Sequence, residues 1–139
     1  MRKDTRPRRE TILVVDDAEE IRRLVSHILL KQGYRVLQAA DGVEALQVSA
    51  AQQDPIHLVL TDVIMPHMNG AELAERLHRE NPAQRLIFMS GYPEDGIVHR
   101  IEKLAVFLPK PFTSGALTRM VREVLDAPDG ERKDPPLGR

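Results

Sequence analysis

The 139-residue chain has no cysteine, so disulfides, thiolate metal sites and cysteine nucleophiles are excluded. That lack suits a reducing compartment, and a cytoplasmic location is the expectation. No charge of one sign prevails: 20 Lys/Arg oppose 21 Asp/Glu, for a formal net charge of −1. Such a balance gives no broad field to gather nucleic acid or an anionic membrane, so neither is expected as a direct partner. No apolar run is long enough to span a bilayer, and the basic start lacks the apolar stretch of a secretory signal. What remains is an ordinary globular composition, 42% hydrophobic and 29% charged, at a length that suggests one soluble domain. A domain of this size buries about two-thirds of the surface its unfolded chain exposes, enough for a respectable core.

The ends differ from the middle. Residues 1–10 carry five Lys/Arg with little to bury, and residues 127–139 mix charge, Pro and Gly without periodicity. Mobile tails at 1–9 and 127–139 are therefore predicted around a domain at 10–126. Within it the hydrophobic period switches repeatedly between strand-like and helix-like. Thr11–Val15 is a short, continuous run in which four of five residues are β-branched, as expected of a strand buried on both faces. Residues 18–32 place Ile21, Leu24, Val25, Ile28 and Leu29 on one helical stripe, and Gly33 stands at its C-terminal end. Tyr34–Ala39, Ile56–Thr61, Leu86–Met89 and Val106–Leu108 read as further strands. Helices are predicted at 43–53, with Ala45, Leu46 and Ala50 as a weaker apolar face, from Asn69-Gly70 to about Asn81-Pro82, and at about 114–125. Glu94–Lys103 has a thin apolar stripe and is expected to be a short or mobile helix. Strands alternating with helices predict an α/β fold, a doubly wound parallel sheet of five strands with helices on both faces.

In such sheets functional groups gather at the carboxyl ends of the strands. Those ends carry Asp16 and Asp17 after strand one, Asp62 after strand three, Ser90 after strand four and Lys110 just beyond strand five. Each has an ordinary explanation on its own. The Asp pair suits a helix N-terminus, Asp62 and Ser90 suit turns, and a lysine before a proline suits the surface. Four strand ends supplying matched polar groups make coincidence improbable. Clustered carboxylates cannot all stay ionised without a cation, and an oxygen-only ligand set favours a hard ion such as Mg²⁺. Phosphate oxygens fill the open positions of such an ion, a neighbouring carboxylate can attack phosphorus, and Lys and Ser can bind the phosphoryl oxygens.

Four segments in order resemble the signatures of response-regulator receiver domains: Val14-Val15-Asp16-Asp17, Asp62–Gly70, Met89-Ser90-Gly91-Tyr92 and Phe107-Leu108-Pro109-Lys110-Pro111-Phe112. The resemblance spans roughly residues 10–125, and the last two segments are most similar to receivers at the C-terminal end of hybrid sensor histidine kinases. It implies strand order 2-1-3-4-5 in a flavodoxin-like fold, which the apolar runs alone do not fix. It implies further that Asp62 accepts a phosphoryl group from a phosphohistidine of a sensor histidine kinase. Mg²⁺ would be held by Asp17, Asp62 and the Ile64 carbonyl, with Asp16 acting directly or through water. Lys110 would pair with the phosphoryl group beside a cis bond to Pro111. Ser90 would move towards the phosphate, Phe107 would swing inward, and Gly91 would leave room. The protein would be a relay with an unidentified downstream partner rather than a turnover enzyme.

Several features sharpen that expectation. Ala18 replaces the acidic residue frequent after the Asp pair, removing a charge without removing a ligand. The span from Ser90 to Lys110 is slightly short. The resemblance places Ile64 and Tyr92 beside the path of a hydrolytic water, where they are expected to prolong the phosphorylated state. A Mg²⁺-dependent phosphohydrolase of the haloacid-dehalogenase kind is the alternative, but it wants an acid where Ile64 stands. A flavin mononucleotide binder would need a hydroxyl-rich loop where Asp16–Glu20 would repel phosphate. A receiver that works without phosphorylation would lack a key group, and none is missing. The five histidines, at 27, 57, 67, 78 and 99, show no ligand spacing, and no output domain is visible in the chain.

Overall fold

The computed structural model describes residues 10–90 and 106–128. Gly91, Tyr92, the helix expected at 94–103 and nearly all of both tails lie outside those residues. The strands are β1 (Thr11–Val15), β2 (Arg35–Ala39), β3 (Leu58–Asp62), β4 (Arg85–Ser90) and β5 (Val106–Pro109). Four helices are described: α1 (Glu19–Lys31), α2 (Gly42–Ala51), α3 (Gly70–Glu80) and α4 (Ser114–Asp126). All strand pairings are parallel, in the order β2-β1-β3-β4-β5. The order reverses direction at β1, which has β2 on one side and β3 on the other, and this opens a crevice above their carboxyl ends.

The continuous apolar runs of the strands serve two cores, because alternate side chains point to opposite faces. Leu13, Val15, Val59, Leu86 and Phe88 pack beneath α2 and α3 with Leu73, Ala74 and Leu77. Ile12, Val14, Leu58, Leu60, Ile87 and Met89 pack beneath α1 and α4 with Val25, Leu29, Leu117 and Val121. Truncating one of these fully buried leucines to alanine costs about 2–5 kcal/mol, through lost transfer energy and the cavity left behind.

Local signals set most boundaries. Gly33 takes a φ of 96°, and the Gly33 and Tyr34 N–H groups donate to the carbonyls of Leu30 and Leu29. This is the glycine-terminated helix end that the sequence predicts. Asp41 and Asn69 cap α2 and α3 by accepting from the N–H groups of Glu44 and Glu72, and Thr113 caps α4 through Ala116.

Three expectations need correction. Leu24 was expected in the apolar stripe of α1 but is 57% exposed, and Ser26 is buried instead. The helix is rotated so that Val25 and Leu29 centre its contact with the sheet, leaving Leu24 on the margin. Ala50, expected inward on α2, is exposed, and the partly buried Val48 packs against the core. Strand three begins at Leu58 rather than Ile56 and includes Asp62, so the carboxylate sits on the last rung of the sheet, with Met89 as its register partner.

Candidate functional site

The crevice above β1 and β3 collects the sequence-predicted groups. One carboxylate oxygen from each of Asp16, Asp17 and Asp62 lies within 4.8 Å of the others. Asp16 is fully buried, Asp17 exposed and Asp62 between the two. Lys110, following β5, reaches across: its Nζ is 3.2 Å from Asp16 Oδ2 and 3.6 Å from Asp62 Oδ1. The Lys110–Pro111 bond is cis, and the Lys110 N–H donates to the Ser90 carbonyl at 3.0 Å. Ser90 ends β4 and is buried. Phe107, in the middle of β5, is half-buried against the core under α2 and α3 and is registered with Phe88. Ile64 projects from the β3–α3 loop and is 49% exposed.

Backbone contacts hold the two acidic loops. Asp62 Oδ1 accepts from the Val63 N–H at 2.8 Å, and Asp16 Oδ1 accepts from the Ala18 N–H at 2.9 Å. The helix α1 cap is Ala18, so neither Asp16 nor Asp17 serves as its N-cap. Arg22 Nη1 donates to the Asp16 carbonyl at 2.8 Å, while its Nε donates to Gln38 Oε1 at 3.2 Å. Gly70 opens α3 directly behind the acceptor. Its N–H donates to the Val63 carbonyl at 2.7 Å, and a Cβ on it would run into the Asp62 carbonyl oxygen. A side chain there would displace the strand end, so glycine is required by close approach rather than by φ.

Among the described residues, charge at this rim is unbalanced, since three clustered carboxylates face one lysine ammonium. Burial is the main force raising the Asp62 carboxyl, from 3.8 to about 6, and neighbouring Asp16 adds to it; Lys110 and the Val63 N–H oppose the rise. All-oxygen donors and an exposed carboxylate at the mouth fit Mg²⁺, which keeps part of its water shell.

The family model for the response regulator receiver domain matches residues 12–122. The chain belongs to the response-regulator receiver family. It is 37% identical over 121 residues to the sensor kinase CckA of Brucella abortus (strain 2308), matching 86% of this chain but only 13% of that kinase. It is 32% identical to sporulation initiation phosphotransferase F of Bacillus subtilis (strain 168), over 84% of this chain and 94% of that protein. Among solved structures, the receiver domain of the hybrid histidine kinase CckA superposes with a TM-score of 0.71 at 33% identity, covering 84% of this chain and 99% of that domain. The expected kinship with receivers of hybrid kinases, the fold and the strand order are thus borne out. Receivers are phosphoacceptor signalling domains of two-component systems, and they bind Mg²⁺ at an acidic pocket such as the one here.

Some supporting residues had no legible signal in the sequence. Arg22 reads as one more charge on an amphipathic helix, and Asn69-Gly70 reads as a simple helix start. Met65 and Met68 are buried under the acceptor loop although both lie in a turn-rich segment. His67 adopts a left-handed φ of 72° and places Nδ1 3.5 Å from Asp41 Oδ2.

Proposed function

We propose that this receiver takes a phosphoryl group onto Asp62 from the phosphohistidine of a sensor histidine kinase, then passes the change of state to a partner protein. The observation that carries this reading is the meeting of Asp16, Asp17 and Asp62 within 4.8 Å beneath Lys110. An Asp62 carboxylate oxygen attacks phosphorus, the phosphorus–nitrogen bond breaks, and its electron pair returns to the imidazole, which takes up a proton. Asp17, Asp62 and the Ile64 carbonyl are the proposed Mg²⁺ ligands, with Asp16 direct or through water. Bound Mg²⁺ would neutralise the clustered carboxylates and the phosphoryl oxygens. Lys110 and Ser90 are assigned to the phosphoryl oxygens, since transfer of this kind depends on positioning and charge stabilisation. Phe107 is half-buried beside β4, so a shift of Ser90 towards the phosphate opens space for its ring; this is a population shift between two packings.

The proposed domain spans 10–126, works in the cytoplasm and is limited in its own chemistry to accepting and losing the phosphoryl group. Ile64 offers no hydrogen bond to hold a water, which favours slow loss; Tyr92, outside the described residues, is assigned the same effect. The test is incubation with acetyl phosphate or a phosphohistidine donor, with and without Mg²⁺, followed by intact mass. One phosphoryl group is expected only with the metal, and Asp62→Asn should carry none. Full labelling of that variant would refute the assignment.

A further inference from the structure

Asp17 stands at the mouth of the site, exposed, and the ion pairs made by the described residues do not include it. Its position therefore depends on its backbone. The start of α1 gives little help, because Ala18 offers no side-chain cap. Instead the loop is tied sideways to β2. The Asp16 N–H donates to the Ala39 carbonyl at 3.2 Å, and the Asp16 carbonyl accepts from Arg22 Nη1 at 2.8 Å. That carbonyl belongs to the peptide joining Asp16 to Asp17, so the bond orients the peptide plane from which Asp17 departs. The second arm of the guanidinium grips Gln38 Oε1 at 3.2 Å, and Gln38 lies in β2 in register with Val14 of β1.

We infer that Arg22 is a positioning residue for metal capture, clamping the Asp16–Asp17 peptide to Gln38 of β2 so that Asp17 is held ready to bind Mg²⁺. This rests on the Mg²⁺ reading above. The planar fork of arginine serves both acceptors at fixed angles, which the single ammonium of lysine does not. Electrostatics alone makes the opposite prediction. A cation beside an acidic cluster opposes a second cation, so removing Arg22 for charge reasons would tighten Mg²⁺ binding. The sign of the effect separates the two roles.

The experiment is a Mg²⁺ titration of the full chain, followed by amide chemical shifts of the β1–α1 loop, for wild type, Arg22→Ala, Arg22→Lys, Gln38→Ala and the Arg22→Ala/Gln38→Ala double variant. Arg22→Ala is expected to weaken binding about tenfold, as loss of an outer partner commonly does. Arg22→Lys should not restore it. Gln38→Ala, which changes no charge, should weaken binding in the same direction, and the double variant should be no weaker than Arg22→Ala, because the two residues form one clamp. Unchanged or tighter binding in Arg22→Ala, or full recovery with lysine, would overturn the inference. Should Arg22→Ala fail to fold, the exposed Gln38→Ala decides alone, and wild-type affinity there counts against the clamp. A wild-type chain with no saturable Mg²⁺ response would defeat the metal reading itself, and the clamp with it. Normal wild-type binding with indifferent variants defeats the clamp only.

Discussion

At the carboxyl end of the sheet three carboxylates share one lysine, whereas at the amino end Arg122 is surrounded by partners. Its Nη2 is 3.0 Å from Glu10 Oε2 and 2.6 Å from Asp126 Oδ1, and its Nη1 donates to the Tyr34 hydroxyl at 3.0 Å. Nearby, Arg85 Nη2 donates to the Ala127 carbonyl at 2.6 Å. The amino end fastens where the chain enters β1 to where it leaves α4, with charges matched by neighbours. Among the described residues, the carboxyl end keeps a negative excess around Asp16, Asp17 and Asp62. One end contributes to holding the domain together; the other carries repulsion that a cation and a phosphoryl group can exploit. A binding site is the place where a protein tolerates incomplete pairing.

The comparison is tested most severely by removing the lysine that reaches into the carboxylate cluster. Lys110→Met leaves the buried Asp16 carboxylate without its ion partner and should cost about 3 kcal/mol in metal-free buffer at neutral pH. Mg²⁺ should restore much of that loss, as read by denaturant unfolding. Equal metal-free stability of variant and wild type would show that the lysine does not balance the cluster.

A smaller effect of opposite sign is expected from Asp62→Asn. Because folding raises the Asp62 carboxyl from 3.8 to about 6, the folded state holds the proton more tightly than the unfolded chain. Its contribution to stability therefore falls as pH rises through that window, and the penalty is complete above it. Asn carries no such penalty. The variant should gain about 2 kcal/mol over wild type at pH 7 without metal, after allowance for partial solvent access, and nothing near pH 3.5. Mg²⁺ should narrow the gap at pH 7. A stability difference that does not change with pH would refute the repulsion argument.

The smallest effect belongs to the amino end. Glu10→Gln removes one partner from Arg122 and should destabilise the chain by up to about 1 kcal/mol, without changing Mg²⁺ affinity. Thus neutralising a carboxylate at one end of the sheet stabilises, while neutralising one at the other end destabilises. Equal signs would remove the distinction between the ends.

Much of this molecule was legible along the chain because its signals are local. The run Ile12–Val15 is hydrophobic at every position, so it had to be buried on both faces, and these four residues are buried together with the polar Thr11 that precedes them. Gly33 closes α1 because a left-handed residue is needed there. The acidic, hydroxyl and ammonium groups were identifiable as strand-end residues, since parallel strands bring their carboxyl ends to one rim. Less was legible where the decision belonged to packing. The stripe containing Leu24 is wide enough for several rotations of α1, and only contact with Ile12, Val14 and α4 selects the one that exposes Leu24 and buries Ser26.

The sequence by itself determined the alternation of strand and helix, the end of α1 at Gly33, the start of α3 at Asn69-Gly70, and the types of group at the rim. These follow from hydrophobic period and from side-chain chemistry within a few residues. Tertiary structure alone decided that Lys110 lies between Asp16 and Asp62, that Gly70 must lack a Cβ beneath the acceptor, and that Arg22 ties the Asp16 peptide to β2. Each is a contact between elements whose separation and angle are set by how the sheet and helices pack, a quantity no local pattern encodes.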